Sequence, residues 1–263
     1  MKKFALNLTI VLFLFTHVLS FGNSAEITNR VNTLYQWFEK MGKPSTAIQS
    51  INSAKRYEPK SFQEGKKEFP AVIFLHGCSG ITREEISWAR FLSDNGFFVI
   101  LPDSFARSGR RMNCNPSDPS FKGGSFLNAF AYRQEEIALA FSELVSSKNI
   151  DRKNIFLIGF SEGAIATAQT IQKGLKGQII LAWTCSLKGQ PNFEGINQFE
   201  DIPIMTIAAT ADPWRIGTTN AGRCADSLHT IKNMKQVDIE GAFHDLFHSE
   251  TARNEVIKFL TNQ

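Results

Sequence analysis

The stretch NIFLIGFSEGAIATAQ (residues 154–169) holds a serine between two glycines, where an apolar strand-like run gives way to a helix-like one. Gly159, Ser161 and Gly163 fit G-x-S-x-G, a pattern in which a strained turn lifts a serine hydroxyl clear of a sheet. Ordinary turn punctuation is the competing reading. A serine hydroxyl is a poor nucleophile until a base takes its proton, and a carboxylate must hold that base. Downstream, TIAATADPW puts Asp212 just past another apolar run, and IEGAFHDLF puts His244 just past the last one. The order serine, acid, histidine suits a hydrolytic triad. For Asp212 the bland alternative is a cap on the loop before Pro213. His248, one helical turn beyond His244 and near Asp245, reads as a surface residue, and so does His229 within an expected helix.

A tetrahedral intermediate also needs donors for its oxyanion. The backbone N–H of Glu162, next after the serine, is one candidate. The other comes from HGCSG (76–80), for which Cys78 N–H is the choice and His76 the residue expected to order the loop. Phe105, Trp183 and Trp214 could line an apolar acyl pocket, or could simply pack the core. Arg107, Arg110 and Arg111 lie in a long Gly-, Pro- and Arg-rich loop from Ser104 to Leu127. They could bind an acidic substrate group, with Arg107 the first choice; a solvated charge run is the alternative.

The elements that must position these residues follow a rhythm. AVIFLHG (71–77), FFVILPD (97–103), NIFLIGF (154–160), QIILAWTC (178–185), IPIMTIAAT (202–210) and KQVDIEGA (235–242) read as strands. Helical patterns fall at 84–96, about 128–148, after Ser161, near 220–233 and from about Glu250. Strands apolar throughout and alternating with helices imply an α/β fold with a mostly parallel sheet covered on both faces. Ligands then bind at the carboxyl ends of the strands, where His76, Asp103, Ser161, Cys185, Asp212 and His244 all fall. Residues 43–70 are polar and suggest one or two edge strands. Glu26 to Gly42 carries apolar residues at helical spacing.

The chain has 263 residues, 43% hydrophobic and 21% charged, which suits one domain over 26–263. Lys2 and Lys3, the apolar run to Leu19 and small residues ending at Ala25 read as a signal peptide over 1–25, with an uncleaved anchor as the alternative. Its removal lowers the net charge from +4 to +2. That balance excludes nucleic acid as an expected partner, and stable membrane association after cleavage. An exported chain, periplasmic or secreted, allows Cys78, Cys114, Cys185 and Cys224 to form disulfides. Four cysteines admit three pairings. Their positions after neighbouring strands favour Cys78–Cys114 and Cys185–Cys224, the first tethering the oxyanion loop to the long loop. With no C-x-x-C pair, no metal site is expected.

FLHGCSG, ILPDSFARSGRRMNC, IGFSEGA, ATADPW followed by AGRCADSL, and EGAFHDLF occur in the order seen in dienelactone hydrolase-like proteins of the α/β-hydrolase fold. The chain resembles that family from about 65 to 262. The resemblance implies Ser161, Asp212 and His244 as the triad and small carboxylic esters or lactones as substrates. The dienelactone hydrolases proper carry a cysteine where this chain has Ser161. The expected activity is hydrolysis through an acyl-enzyme, without metal or organic cofactor, by a monomer or homodimer. Acyl transfer or peptide cleavage by the same triad, and a non-catalytic binding protein on this scaffold, are the alternatives.

Overall fold

A computed structural model describes residues 46–62, 68–114, 126–186, 195–197, 201–214, 223–227, 231 and 233–263. The expected signal peptide and the helix over Glu26–Gly42 lie outside the described residues. So does His229.

Seven strands form one sheet: β1 (Lys55–Tyr57), β2 (Phe69–Leu75), β3 (Phe98–Leu101), β4 (Ile150–Phe160), β5 (Gly177–Leu181), β6 (Ile204–Ala209) and β7 (Met234–Ile239). Their order is β1-β3-β2-β4-β5-β6-β7. Only β1 is antiparallel, pairing Lys55 with Leu101 at one edge. The other pairings are parallel. The helices are α1 (Ala47–Asn52), α2 (Arg83–Asp94), α3 (Phe126–Ser146), α4 (Glu162–Ala168), α5 (Cys224–Ser227) and α6 (Glu250–Thr261). These elements fall within one compact unit, Thr46–Gln263.

Alternation along the strands sends side chains to opposite faces. Val72, Phe74, Phe156, Ile158, Met205 and Ile207 join Trp88 and Leu92 of α2 and Val256 and Phe259 of α6. Ala71, Ile73, Leu75, Ile155 and Leu157 join Ile137, Ala140 and Leu144 of α3 and Ile51 of α1. Because both faces are covered, the central strands are apolar at most positions, with Gln178 of β5 and Thr206 of β6 as buried polar exceptions.

Two elements differ from expectation. Strand β4 begins at Ile150, four residues early, because Phe69 pairs with Ile150 across a register shift; the polar IDRK carries no strand signal. The segment after Ser45 opens with the short helix α1, ahead of the edge strand β1.

Candidate active site

Ser161 follows β4 with φ 55° and ψ −115°, a backbone conformation that L-residues adopt only when their surroundings hold them there. It occupies the N-cap position of α4, yet its side chain makes no capping hydrogen bond. The hydroxyl is therefore not spent on the helix. The flanking glycines are required by contact. A Cβ on Gly159 would fall 2.2 Å from Gly163 O, and one on Gly163 would fall 2.3 Å from Leu75 O. The strand-to-helix turn thus packs directly on the end of β2. There a Cβ on Gly77 would lie 3.4 Å from Ser161 Cβ, so the HGCSG loop runs beside the serine.

Asp212 is fully buried past β6. One carboxylate oxygen accepts Trp214 N–H at 2.8 Å, and the other lies 2.7 Å from His244 Nδ1. The loops carrying acid and histidine are laced together. Thr210 N–H donates to Ile239 O at 2.8 Å and Ala211 N–H to Gly241 O at 2.9 Å. A carboxylate accepts, so Nδ1 donates and the imidazole lone pair is left at Nε2. The imidazole packs 5.0 Å, centroid to centroid, from Phe160, the residue before Ser161, and 5.8 Å from the Trp214 ring. Ser161, Asp212 and His244 thus follow β4, β6 and β7 at the same edge of the sheet, with β5 between the first two. His248 stands apart, its side chain 82% exposed and 3.3 Å from Asp245.

Of the proposed pocket residues, Trp214 lies beside His244 and Phe105 stacks on His76 at 5.6 Å. Trp183 is buried with Ala164, Ile165, Ile180 and the Cys185–Cys224 pair. Arg107 does not join the site. Its side chain is buried, pairs with Glu135, donates to Tyr132 O at 2.9 Å and lies 3.6 Å from Glu136. An incoming anion would have to displace Glu135 to reach it. Arg110 is likewise buried and pairs with Glu162; Arg111 is exposed. Both disulfides form as the strand order suggested, Cys78–Cys114 with Cα atoms 5.7 Å apart and Cys185–Cys224 at 4.8 Å.

A buried ionic cluster beneath the serine escaped the sequence reading. Glu162 accepts from Arg110, from Asn113 Nδ2 at 2.8 Å and from Arg133 Nη2 at 3.0 Å. Burial pushes its acidity toward the neutral form, but the two guanidiniums win and hold it below the usual carboxylate range. Glu136 goes the other way, raised mainly by burial. His76 donates from Nδ1 to Gly77 O at 2.6 Å and accepts Ser104 N–H at Nε2, 3.1 Å away. Burial, and then the charge of Arg133, hold it well below its ordinary value, so it is neutral. It orders the loop, in keeping with the expectation for it.

Two glutamates opening α2 were also missed. Glu85 completes a capping box with Thr82 and accepts Gly77 N–H at 3.0 Å. Glu84 accepts Trp88 Nε1–H at 2.9 Å, Leu246 N–H at 3.1 Å and Phe247 N–H at 2.9 Å, which anchors the loop after His244. T-x-x-E was legible as a cap; the long-range second bonds were not.

The sequence matches the phospholipase/carboxylesterase family over residues 124–262, more than half of the chain. The chain belongs to that family. A search of curated proteins finds no match. Solved structures sharing its architecture include a Klebsiella pneumoniae protein assigned as a dienelactone hydrolase, at 15% identity and TM-score 0.57, covering 82% of this chain and 97% of that one. A dienelactone hydrolase-like promiscuous phosphotriesterase from metagenomic libraries matches at 15% identity and TM-score 0.55, over 80% of this chain and 97% of that one. A phospholipase/carboxylesterase from Dyadobacter fermentans matches at 20% identity and TM-score 0.53, over 79% and 95%. These likenesses establish the α/β-hydrolase fold for this member of the carboxylesterase family, and the resemblance to dienelactone hydrolase-like proteins holds with it.

Proposed function

We propose that the chain is an exported serine hydrolase acting on small carboxylic esters or lactones. The observation that carries this reading is an uncapped Ser161 at positive φ on the same sheet edge as a buried Asp212 bonded to His244. Ser161 Oγ attacks the carbonyl carbon while His244 Nε2 takes its proton. Asp212 holds the tautomer and stabilises the imidazolium. The N–H groups of Glu162 and Cys78 receive the oxyanion, each donor of this kind contributing about 10²–10³-fold in turnover. As the tetrahedral species collapses, the ester C–O bond breaks and His244 protonates the leaving alkoxide. A water, activated by the same histidine, attacks the acyl-serine ester and releases the acid.

Phe105 and Trp214 are the side chains proposed to contact the acyl or alcohol group. Export is supported by the two disulfides, which persist in oxidising compartments. No described helix is long and apolar enough to cross a membrane.

The test is turnover of a panel of nitrophenyl esters and small lactones by wild type and Ser161→Ala, with fluorophosphonate labelling of both. Labelling and turnover that vanish together in the variant support the assignment. A Ser161→Ala protein with wild-type turnover would refute it, and an unlabelled, inactive wild type would favour a binding protein. Competing alcohols in the same assay separate acyl transfer from hydrolysis.

A further inference from the structure

Arg133 of α3 is fully buried, and one of its nitrogens reaches both sides of the proposed oxyanion hole. Nη2 donates to His76 O at 2.8 Å, lies 3.4 Å from Gly77 O, and pairs with Glu162 Oε1 at 3.0 Å. Nε lies 3.3 Å from the same carboxylate oxygen. Its acceptors flank the two N–H groups assigned to the oxyanion, those of Cys78 and Glu162.

Gly77 O and Cys78 N–H belong to one peptide. The described chain has no cis bond, so the two point in opposite directions. His76 Nδ1–H, 2.6 Å from Gly77 O, and the Arg133 cation behind it draw that oxygen inward. The Cys78 N–H is thereby turned outward. A cation near the carbonyl also polarises the amide and makes its N–H the stronger donor. Glu162, meanwhile, is the residue after the serine, and its carboxylate ties the start of α4 to the same guanidinium.

We propose that Arg133 is a positioning residue of the oxyanion hole: it fixes the direction and spacing of the Cys78 and Glu162 N–H donors, and transition-state stabilisation depends on it. This deepens the hydrolase reading and rests on it. A role in stability alone fits the surroundings poorly. Arg133 Nη1 and Glu136 Oε2 lie 3.5 Å apart, and both are buried without a hydrogen bond. An ion pair without hydrogen bonds adds little stability for the desolvation it costs, and well-packed apolar residues commonly replace a buried ion pair without loss.

The experiment compares wild type, Ser161→Ala, Arg133→Lys, Arg133→Met and the double variant Arg133→Met/Glu162→Leu, which removes both charges together. For each, kcat and KM on a nitrophenyl ester are measured, with inhibition by a trifluoromethyl ketone as transition-state mimic, inhibition by the product carboxylate, and urea unfolding. In Arg133→Met, kcat falls about 10²-fold and the ketone weakens in step. KM and carboxylate affinity stay within about threefold, the signature of an interaction made only in the transition state. Arg133→Lys recovers part of the loss. A folded Arg133→Met with kcat and ketone affinity within about threefold of wild type overturns the proposal. Where that variant does not fold, the double variant decides by the same criteria. Loss of folding in all three makes Arg133 a structural residue only and also overturns it. Wild-type turnover by Ser161→Ala would instead sink the triad, a distinguishable failure.

Discussion

His244 Nδ1 stands 2.7 Å from Oδ2 of a fully buried Asp212, whose other oxygen is occupied by Trp214 N–H. The contact determines which imidazole nitrogen can act as base. With the carboxylate accepting at Nδ1, only Nε2 has a lone pair for the serine proton. Asp212→Asn keeps the shape but offers an amide N–H, which favours the tautomer protonated at Nε2. The expected result is a fall in kcat of about 10⁴-fold with KM little changed. Steady-state kinetics on a nitrophenyl ester measure it, and a kcat within tenfold of wild type, about the smallest effect compatible with a triad acid, would rule Asp212 out.

The backbone at Ser161 provides an independent check. At φ 55° a side chain is strained, typically by about 1–3 kcal/mol. Glycine relieves that strain but loses about 0.5–1 kcal/mol to the entropy of the unfolded chain. Both Ser161→Gly and Ser161→Ala should be inactive, with Ser161→Gly the more stable by about 1 kcal/mol. Urea unfolding of the pair measures the difference. A more stable alanine variant would mean that the elbow is not strained.

The sheet was legible in the sequence because its inner strands are buried on both faces and read as largely apolar runs. The candidate triad residues could be picked out because glycines and polar residues fall where those runs end. Arg133, Glu84 and the buried carboxylate of Glu162, whose N–H alone was a candidate, were hidden for a physical reason. Their partners are backbone atoms and side chains far away in sequence, as with Glu84 and Leu246, and no local pattern records such bonds. One clue was available. Arg133 lies on the same stripe of α3 as the buried Ile137, Ala140 and Leu144, and a charged residue on an apolar stripe needs a buried partner. Arg107 was misleading because a loop arginine looks free until Glu135 and Glu136 are placed beside it.

The two disulfides should have separable effects. Cys185–Cys224 closes a loop with sequence separation 39 and packs beside Trp183. Replacing both cysteines with serine should remove about 3–4 kcal/mol of stability and leave kcat of the folded protein unchanged. Cys78–Cys114 instead ties the HGCSG loop to the segment whose Arg110 and Asn113 hold Glu162. Its removal should lower kcat as well as stability. Kinetics and urea midpoints of the two double variants separate these outcomes, and equal kcat in both would contradict the distinction.

His76 predicts the shape of the acid limb of stability. Burial and the Arg133 charge depress its pKa in the folded protein, whereas in the unfolded chain it titrates near the ordinary histidine value. Between those two values the unfolded state binds a proton that the native state does not. Stability therefore rises with pH in that window, by up to about 1.4 kcal/mol per pH unit, and the contribution is complete above the ordinary value. Glu162, also depressed, loses its stabilisation only at lower pH, beneath the usual carboxylate range. Glu136, raised, works with the opposite sign: its burial favours the protonated form, so its contribution improves as pH falls. The comparison with His76→Asn isolates the histidine, since the asparagine amide can still donate to Gly77 O in place of Nδ1. Urea unfolding at intervals between about pH 5 and pH 8, where histidine titrates, should show wild type losing stability toward acid more steeply than the variant. The two curves should run parallel above the histidine range. Parallel curves throughout would mean that His76 takes up its proton in the folded state as readily as in the unfolded one.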